Sequence, residues 1–128
     1  MTLKFNNETR NARILSVGAY RPKRVVPNSE IVDKIDSSDE WIQQRTGIVT
    51  RHFADENESL IDMTVKACEI AIKRAGLKPS DIDAVIFATI SYPYQAPSAA
   101  TELIARLDTP HAAAFDISAA CAGFCYGV

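Results

Sequence analysis

Residues Ala112–Phe124 read AAAFDISAACAGF. The first half, Ala112–Ile117, is an apolar run of strand length. The second half is built from small residues until Phe124. An apolar run too short for a buried helix, followed by small residues, predicts a strand that turns into a helix. Working backwards, Asp83–Ile90 (DAVIFATI) is a second apolar run. Its Val, Ile and Phe content predicts a strand buried on both faces. Between the two runs lies a loop, Ser91–Pro97, carrying Pro93 and Pro97. Ser98 then opens a helix through Leu103, Ile104 and Leu107. Strands alternating with helices predict a layered α/β fold.

Further upstream, apolar residues fall at Leu60, Met63, Ala67, Cys68, Ala71, Ile72 and Ala75. Those intervals of three and four predict a helix with one buried face. Ser59 and Asp62 form a capping pattern before it, Gly76 stops it, and Pro79 prevents its restart. Ser37 and Glu40 stand in an S-x-x-E capping box, with Asp39 adding negative charge to the first turn. That second helix runs through Trp41, Ile42 and Arg45 to Thr46-Gly47, where Gly47 suits the left-handed position after a helix. Asn28 is expected to cap a short helix through Ile31, Val32 and Ile35. Ala12–Tyr20 (ARILSVGAY) reads as a strand ended by Gly18.

The composition excludes several function classes. With 47% hydrophobic and 23% charged residues, the 128-residue chain has the apolar content for one packed core. Its formal charge of −2 is the wrong sign for a nucleic-acid binder. The basic Arg21–Arg24 stretch reads as a solvated loop. Met1–Arg10 is polar and lacks the apolar centre of a signal peptide. No stretch approaches the roughly 18 apolar residues of a membrane helix. A cytoplasmic location, with no membrane partner, is the resulting expectation. The three cysteines, Cys68, Cys121 and Cys125, form no CxxC, so neither a disulfide framework nor a zinc site is expected. The uncharged end Phe124–Val128 reads as the start of a buried helix, which predicts a truncated product.

Two groups of residues carry candidate chemistry. Cys121 follows an apolar strand among alanines and close to Gly123. Small neighbours leave room for a thioester to approach the sulfur. A helix N-terminus there favours the thiolate, the nucleophilic form. The competing reading is a small buried hydrophobe, and spacing alone does not choose between them. Cys125 and Cys68 both read as packing residues. Trp41 and Arg45, at i and i+4, share one helix face. An indole stacks on a nucleobase, and a guanidinium stacks or holds a phosphate. The competing reading makes Trp41 core and Arg45 a solvated charge at the helix end. His52 and His111 read as surface residues. No phosphate-binding loop, dinucleotide fingerprint, zinc-protease motif or serine-hydrolase elbow is present.

Three segments together carry a resemblance. SSDEWIQQRTGIVTRHFA at Ser37–Ala54, APSAA at Ala96–Ala100 and AFDISAACAGF at Ala114–Phe124 resemble, in order and spacing, segments of β-ketoacyl-acyl-carrier-protein synthase III. The resemblance implies a thiolase-like fold with two similar α/β halves, of which residues 12–128 are most of the first. Residues 1–11 are then an N-terminal extension. It also implies a homodimer formed through the strand Ala112–Ile117, and no permanently bound cofactor or metal. In the implied reaction Cys121 takes an acyl group from acyl-CoA as a thioester. Malonyl-acyl-carrier protein then loses carbon dioxide, and its carbanion attacks that thioester. Trp41 is implied to stack on the CoA adenine, with Arg45 and Ser37 nearby.

Two departures qualify the resemblance. The family's catalytic His and Asn belong to the second half, and neither His52 nor His111 occupies their place. These residues alone are therefore expected not to complete condensation. Ala96 stands where many relatives carry a bulkier residue that reaches the partner's acyl pocket, which points to longer or branched primers. Two rival readings are another thiolase-like acyltransferase, such as a polyketide-starter or long-chain condensing enzyme, and a non-catalytic fragment.

Overall fold

The computed structural model describes residues 12–128. The extension of residues 1–11 lies outside the described residues. Eight regular elements follow one another: β1 (Arg24–Pro27), α1 (Asp39–Thr46), β2 (Thr50–Phe53), α2 (Leu60–Ala75), β3 (Ala84–Ala88), α3 (Ala99–Arg106), β4 (Ala113–Ile117) and α4 (Gly123–Gly127). β1 and β2 pair antiparallel, with Val26 opposite Arg51. β3 and β4 pair parallel, in a register that sets Ala84 opposite Ala113 and Ala88 opposite Ile117. Parallel neighbours need a crossover connection, and α3 supplies it.

The core lies between α2, α3 and one face of the parallel pair. Ile61, Phe87, Ala99, Ala100, Leu103 and Leu107 are buried there, with Leu60, Val65, Cys68, Val85, Tyr92 and Ala114 packed around them. The expectation that Asp83–Ile90 is buried on both faces needs correction. Val85 and Phe87 face this core, but Ile86 is 41% and Ile90 70% exposed. The cause is the alternation of a strand. Within residues 12–128, two helices cover one face, and α4 touches the other, bringing Gly127 near Ile86 and Ile117.

The helix ends follow local chemistry. α2 carries a full capping box between Ser59 and Asp62. Gly47 and Gly76, at φ 69° and 70°, take the left-handed conformation after α1 and α2. The expected box on α1 does not form, and a single N-cap one residue later takes its place. Ser38, not Ser37, accepts the Trp41 N–H at 3.2 Å. Asn28 does not cap a helix either. Two single 3-10 turns, Asn28–Glu30 and Val32–Lys34, replace the expected short helix, and the Asn28 side chain is buried in a longer-range network.

A third correction concerns Ala12–Tyr20, which forms no strand. A strand needs a hydrogen-bonded neighbour, and this segment instead lies along α2. The Ser16 hydroxyl donates to the Ala71 carbonyl at 2.6 Å, and Arg74 donates to the Val17 carbonyl at 2.8 Å. Ile14, Leu15 and Val17 stay exposed as a result.

Asp116 does a task that the apolar look of its run concealed. From β4 its carboxylate accepts the N–H groups of Ala99 and Ala100, each at 2.8 Å. It thus satisfies two of the open donors at the start of α3 and ties that helix to the strand leading to Cys121.

Asp62 links α2 to α3 in a similar way. It accepts from the Ser59 hydroxyl at 2.6 Å and from Arg106 at 2.7 Å. First the Ser59 hydroxyl and then the Arg106 guanidinium hold its carboxyl far below the usual range. A depressed folded value means stability that is complete above the unfolded value and lost as pH falls through the folded one. Asp62→Asn is therefore expected to lower the urea midpoint at neutral pH. The gap to the parent should close only below roughly pH 4. A gap that stays constant down to pH 2 would remove Asp62 from this role.

Candidate active site

Cys121 sits in a single 3-10 turn, Ala120–Ala122, between β4 and α4. The chain reverses here through Ala120, whose φ of 44° is rare for a residue with a side chain. Such strained positions cost on the order of 1 kcal/mol and cluster at functional sites. Gly123 allows the turn to sit close to the sheet, because a Cβ there would lie 3.0 Å from the Ala88 Cβ. The small residues around the cysteine therefore serve close packing against the end of β3.

The reading of Cys121 as a buried hydrophobe fails, for its side chain is exposed. It lines the mouth of a cleft of about 760 Å³. The walls come from Leu60, Thr64 and Cys68 of the α2 side, Val85–Ser91, and Leu103 of α3. The lining is mainly apolar, with Thr64, Thr89 and Ser91 as its hydroxyl-bearing residues; the Thr64 hydroxyl donates to the Leu60 carbonyl at 2.8 Å. An apolar cleft with a few polar groups and an exposed thiol at its rim suits a thioester with an aliphatic tail.

The other two thiols divide differently from expectation. Cys68 packs against the core as expected, and burial, with a smaller contribution from the Glu69 charge, pushes its thiol up. Cys125, on α4, is exposed among residues 12–128.

Trp41 and Arg45 form the second group. Trp41 is 55% exposed, which removes it from the core. The Arg45 guanidinium carbon lies 5.9 Å from the centre of the indole ring, within cation–π range. The i, i+4 pairing thus holds in space, and an exposed indole face is left beside a cation. Ser37 is half-buried, and its hydroxyl oxygen is out of solvent with no hydrogen-bond partner among the described residues. An unpaired buried hydroxyl is costly unless something binds it. Neither Trp41, Arg45 nor Ser37 lines the Cys121 cleft. Ala96 is exposed in the loop before α3 and also stands outside it. His52 and His111 are exposed. Among the described residues, no group of three His, Cys, Asp or Glu side chains is placed to hold a metal ion, and no helix is long and apolar enough to cross a membrane.

Sequence reasoning missed two parts of the site. The α2 wall of the cleft has no local signal, since Leu60, Thr64 and Cys68 read only as a helix face. Asp116 did carry a signal: a lone acid inside an apolar run must find donors.

With this geometry in hand, the chain was compared with known proteins. No protein-family model matches it. It is 56% identical over 117 residues to β-ketoacyl-acyl-carrier-protein synthase III 1 of Streptomyces avermitilis, covering 91% of this chain and 33% of that protein. It is 49% identical over 127 residues to the synthase III of Kocuria rhizophila, covering 99% of this chain and 36% of that protein. The chain therefore spans about a third of the length of the curated relatives it matches. Among solved structures it resembles the priming β-ketosynthase of the R1128 polyketide pathway, with TM-score 0.85 and 42% identity over 89% of this chain and 34% of that one. The 3-oxoacyl-acyl-carrier-protein synthase III of Aquifex aeolicus is similar at TM-score 0.83 and 42% identity, over 88% of this chain and 36% of that one. Over the part it covers, the fold is the thiolase-like α/β fold of these neighbours.

Proposed function

We propose, from the premise that this chain is a homologue of about a third of a β-ketoacyl-acyl-carrier-protein synthase III, that it carries the acyl-accepting half of a condensing acyltransferase. The observation that supports this reading is the exposed Cys121 thiol at the rim of an apolar cleft. The sulfur, as thiolate, attacks the acyl-CoA carbonyl. CoA leaves as its thiol, and the acyl group stays on Cys121 as a thioester. The Cys121 backbone N–H assists by donating to the oxyanion as it forms. Malonyl-acyl-carrier protein then loses carbon dioxide, its carbanion attacks the carbonyl of the Cys121 thioester, and the Cys121 sulfur leaves as thiolate, giving a β-ketoacyl-acyl-carrier protein. Trp41 stacks on the CoA adenine, Arg45 holds the nucleotide from the next helical turn, and the unpaired Ser37 hydroxyl finds its partner on the same ligand.

The assembly in this reading is a homodimer through β4, without a permanently bound cofactor and working in the cytoplasm. The His and Asn that the family uses for decarboxylation lie beyond the matched third. This chain alone is therefore expected to accept an acyl group and to make no condensation product. The test is intact-mass analysis after incubation with acetyl-CoA. One acetyl group, mapped to Cys121, is the expected result. Modification only at Cys68 or Cys125, or none, overturns the proposal.

Ala96 bears on primer choice. A small side chain in the loop that serves the partner's acyl pocket favours longer or branched acyl groups. In the dimer, Ala96→Phe is expected to slow acylation by isobutyryl-CoA roughly tenfold while sparing acetyl-CoA. Equal rates in parent and variant would dissociate Ala96 from primer choice. A second reading, a polyketide-starter enzyme, is favoured by the likeness to the R1128 priming ketosynthase. It shares the Cys121 chemistry and differs in primer and acceptor, so acceptor assays separate the two.

A further inference from the structure

α1 is held in place by very little. It has eight residues, and Ile42 is the single one that is buried. A helix this short does not hold its own direction in water. Yet Trp41 and Arg45 act together only if α1 has a fixed direction. A further restraint is a side chain that comes from outside the helix.

That side chain is Asn28, which is 1% exposed. Its amide nitrogen donates to the Asp39 carboxylate at 2.6 Å and to the Ile48 carbonyl at 2.8 Å. Its amide oxygen accepts from the Arg51 guanidinium. Its backbone N–H donates to the Val49 carbonyl at 3.2 Å, and its own carbonyl accepts from Ile31 at 3.0 Å. Asp39 is the first residue of α1, whereas Ile48 and Val49 follow its end. One buried amide therefore grips both ends of the helix and joins them to β2 through Arg51. Asp39 is fixed in turn by Gln43 of α1 at 2.9 Å.

We infer that Asn28 is a positioning residue for the nucleotide end of the acyl donor. It touches no substrate and acts by holding α1 so that Trp41 and Arg45 present one surface. The inference rests on the reading of those two residues as the nucleotide grip. The site demands two donors and one acceptor from a single buried group, which only a side-chain amide offers, and glutamine carries that amide one methylene further out. Aspartate has the same shape but no donor, and it would set a second carboxylate against Asp39.

The test compares two acyl donors on the full chain: acetyl-CoA, and acetyl-pantetheine, which has the same thioester and no nucleotide. Acetylation of Cys121 is followed by mass. Asn28→Asp is expected to slow acetylation by acetyl-CoA roughly 10- to 100-fold. The rate with acetyl-pantetheine should stay within about twofold of the parent at matched concentration. Asp39→Ala removes the helix side of the grip without touching the buried amide. It should show the same split, and it carries the test if Asn28→Asp does not fold by circular dichroism. Equal loss with both donors, or no loss with either in a folded variant, overturns the inference. Trp41→Ala separates the two levels of the argument. If it erases the parent's preference for acetyl-CoA and Asn28→Asp does not, only the Asn28 role fails. If the parent has no such preference, the nucleotide grip itself fails, and the Asn28 role with it.

Discussion

Cys121→Ala is expected to reduce acetyl transfer from acetyl-CoA to background, a loss of roughly 10⁴-fold or more, if Cys121 is the thiol that holds the thioester as proposed. Cys121→Ser is expected to fare little better, since a hydroxyl is far less acidic than a thiol. Cys125→Ser and Cys68→Ala should retain acylation. The choice of reagent decides what is learned. Iodoacetamide labels Cys121 and Cys125 alike, because both are exposed, so it excludes only Cys68, whose half-buried thiol is pushed up. An acyl-CoA discriminates further, because it must also engage the cleft that Cys121 lines and Cys125 does not. Acylation that persists in Cys121→Ala and vanishes in Cys125→Ser would move the chemistry one turn along the chain and abandon the proposed function.

Gly18→Ala has the largest expected effect on stability. The added methyl would overlap the Ala67 carbonyl and lie 2.7 Å from the Ala71 nitrogen. Both are backbone atoms in the middle of α2, so neither can move aside. The segment before β1 must lift off, giving up the Ser16–Ala71 and Arg74–Val17 hydrogen bonds. Overpacking plus two lost bonds amounts to about 3 kcal/mol. Gly76→Ala is the instructive comparison. Its new methyl meets open space, but φ is 70°, which costs about 1 kcal/mol. Urea midpoints should rank parent, then Gly76→Ala, then Gly18→Ala. The opposite order for the two variants would mean that this contact is not tight.

These two glycines show what the chain discloses in one dimension and what it withholds. Gly76 is legible because its role is local: a helix stops, and the next residue must turn left. The same holds for Ser59 with Asp62, for Gly47, and for the i, i+4 pair Trp41 and Arg45. Gly18 looks like the end of a strand, but its role is an approach to a helix some fifty residues away. The Ala12–Tyr20 strand fails for that reason, since a strand is a relation between two segments and the second is not written nearby. Asn28 belongs to the same class: its type suggests a cap, whereas its partners at Asp39, Ile48 and Arg51 are visible only in three dimensions. Cys121 is legible as a candidate from its small neighbours, whereas its exposure is visible only in three dimensions. That Trp41 and Cys121 occupy separate surfaces had no sequence signal.

One property of Trp41 reaches beyond binding. It is the sole tryptophan of the chain, half bare to water and paired with a cation. Indole emission, excited at wavelengths too long for the four tyrosines, is thus a private channel from the α1 surface. A purine stacking on the indole is expected to dim it, whereas an event confined to the cysteine turn leaves it unchanged. Nature has in effect labelled one end of the proposed donor site and left the other unlabelled, so arrival of the nucleotide and transfer of the acyl group can be timed apart without attaching any dye.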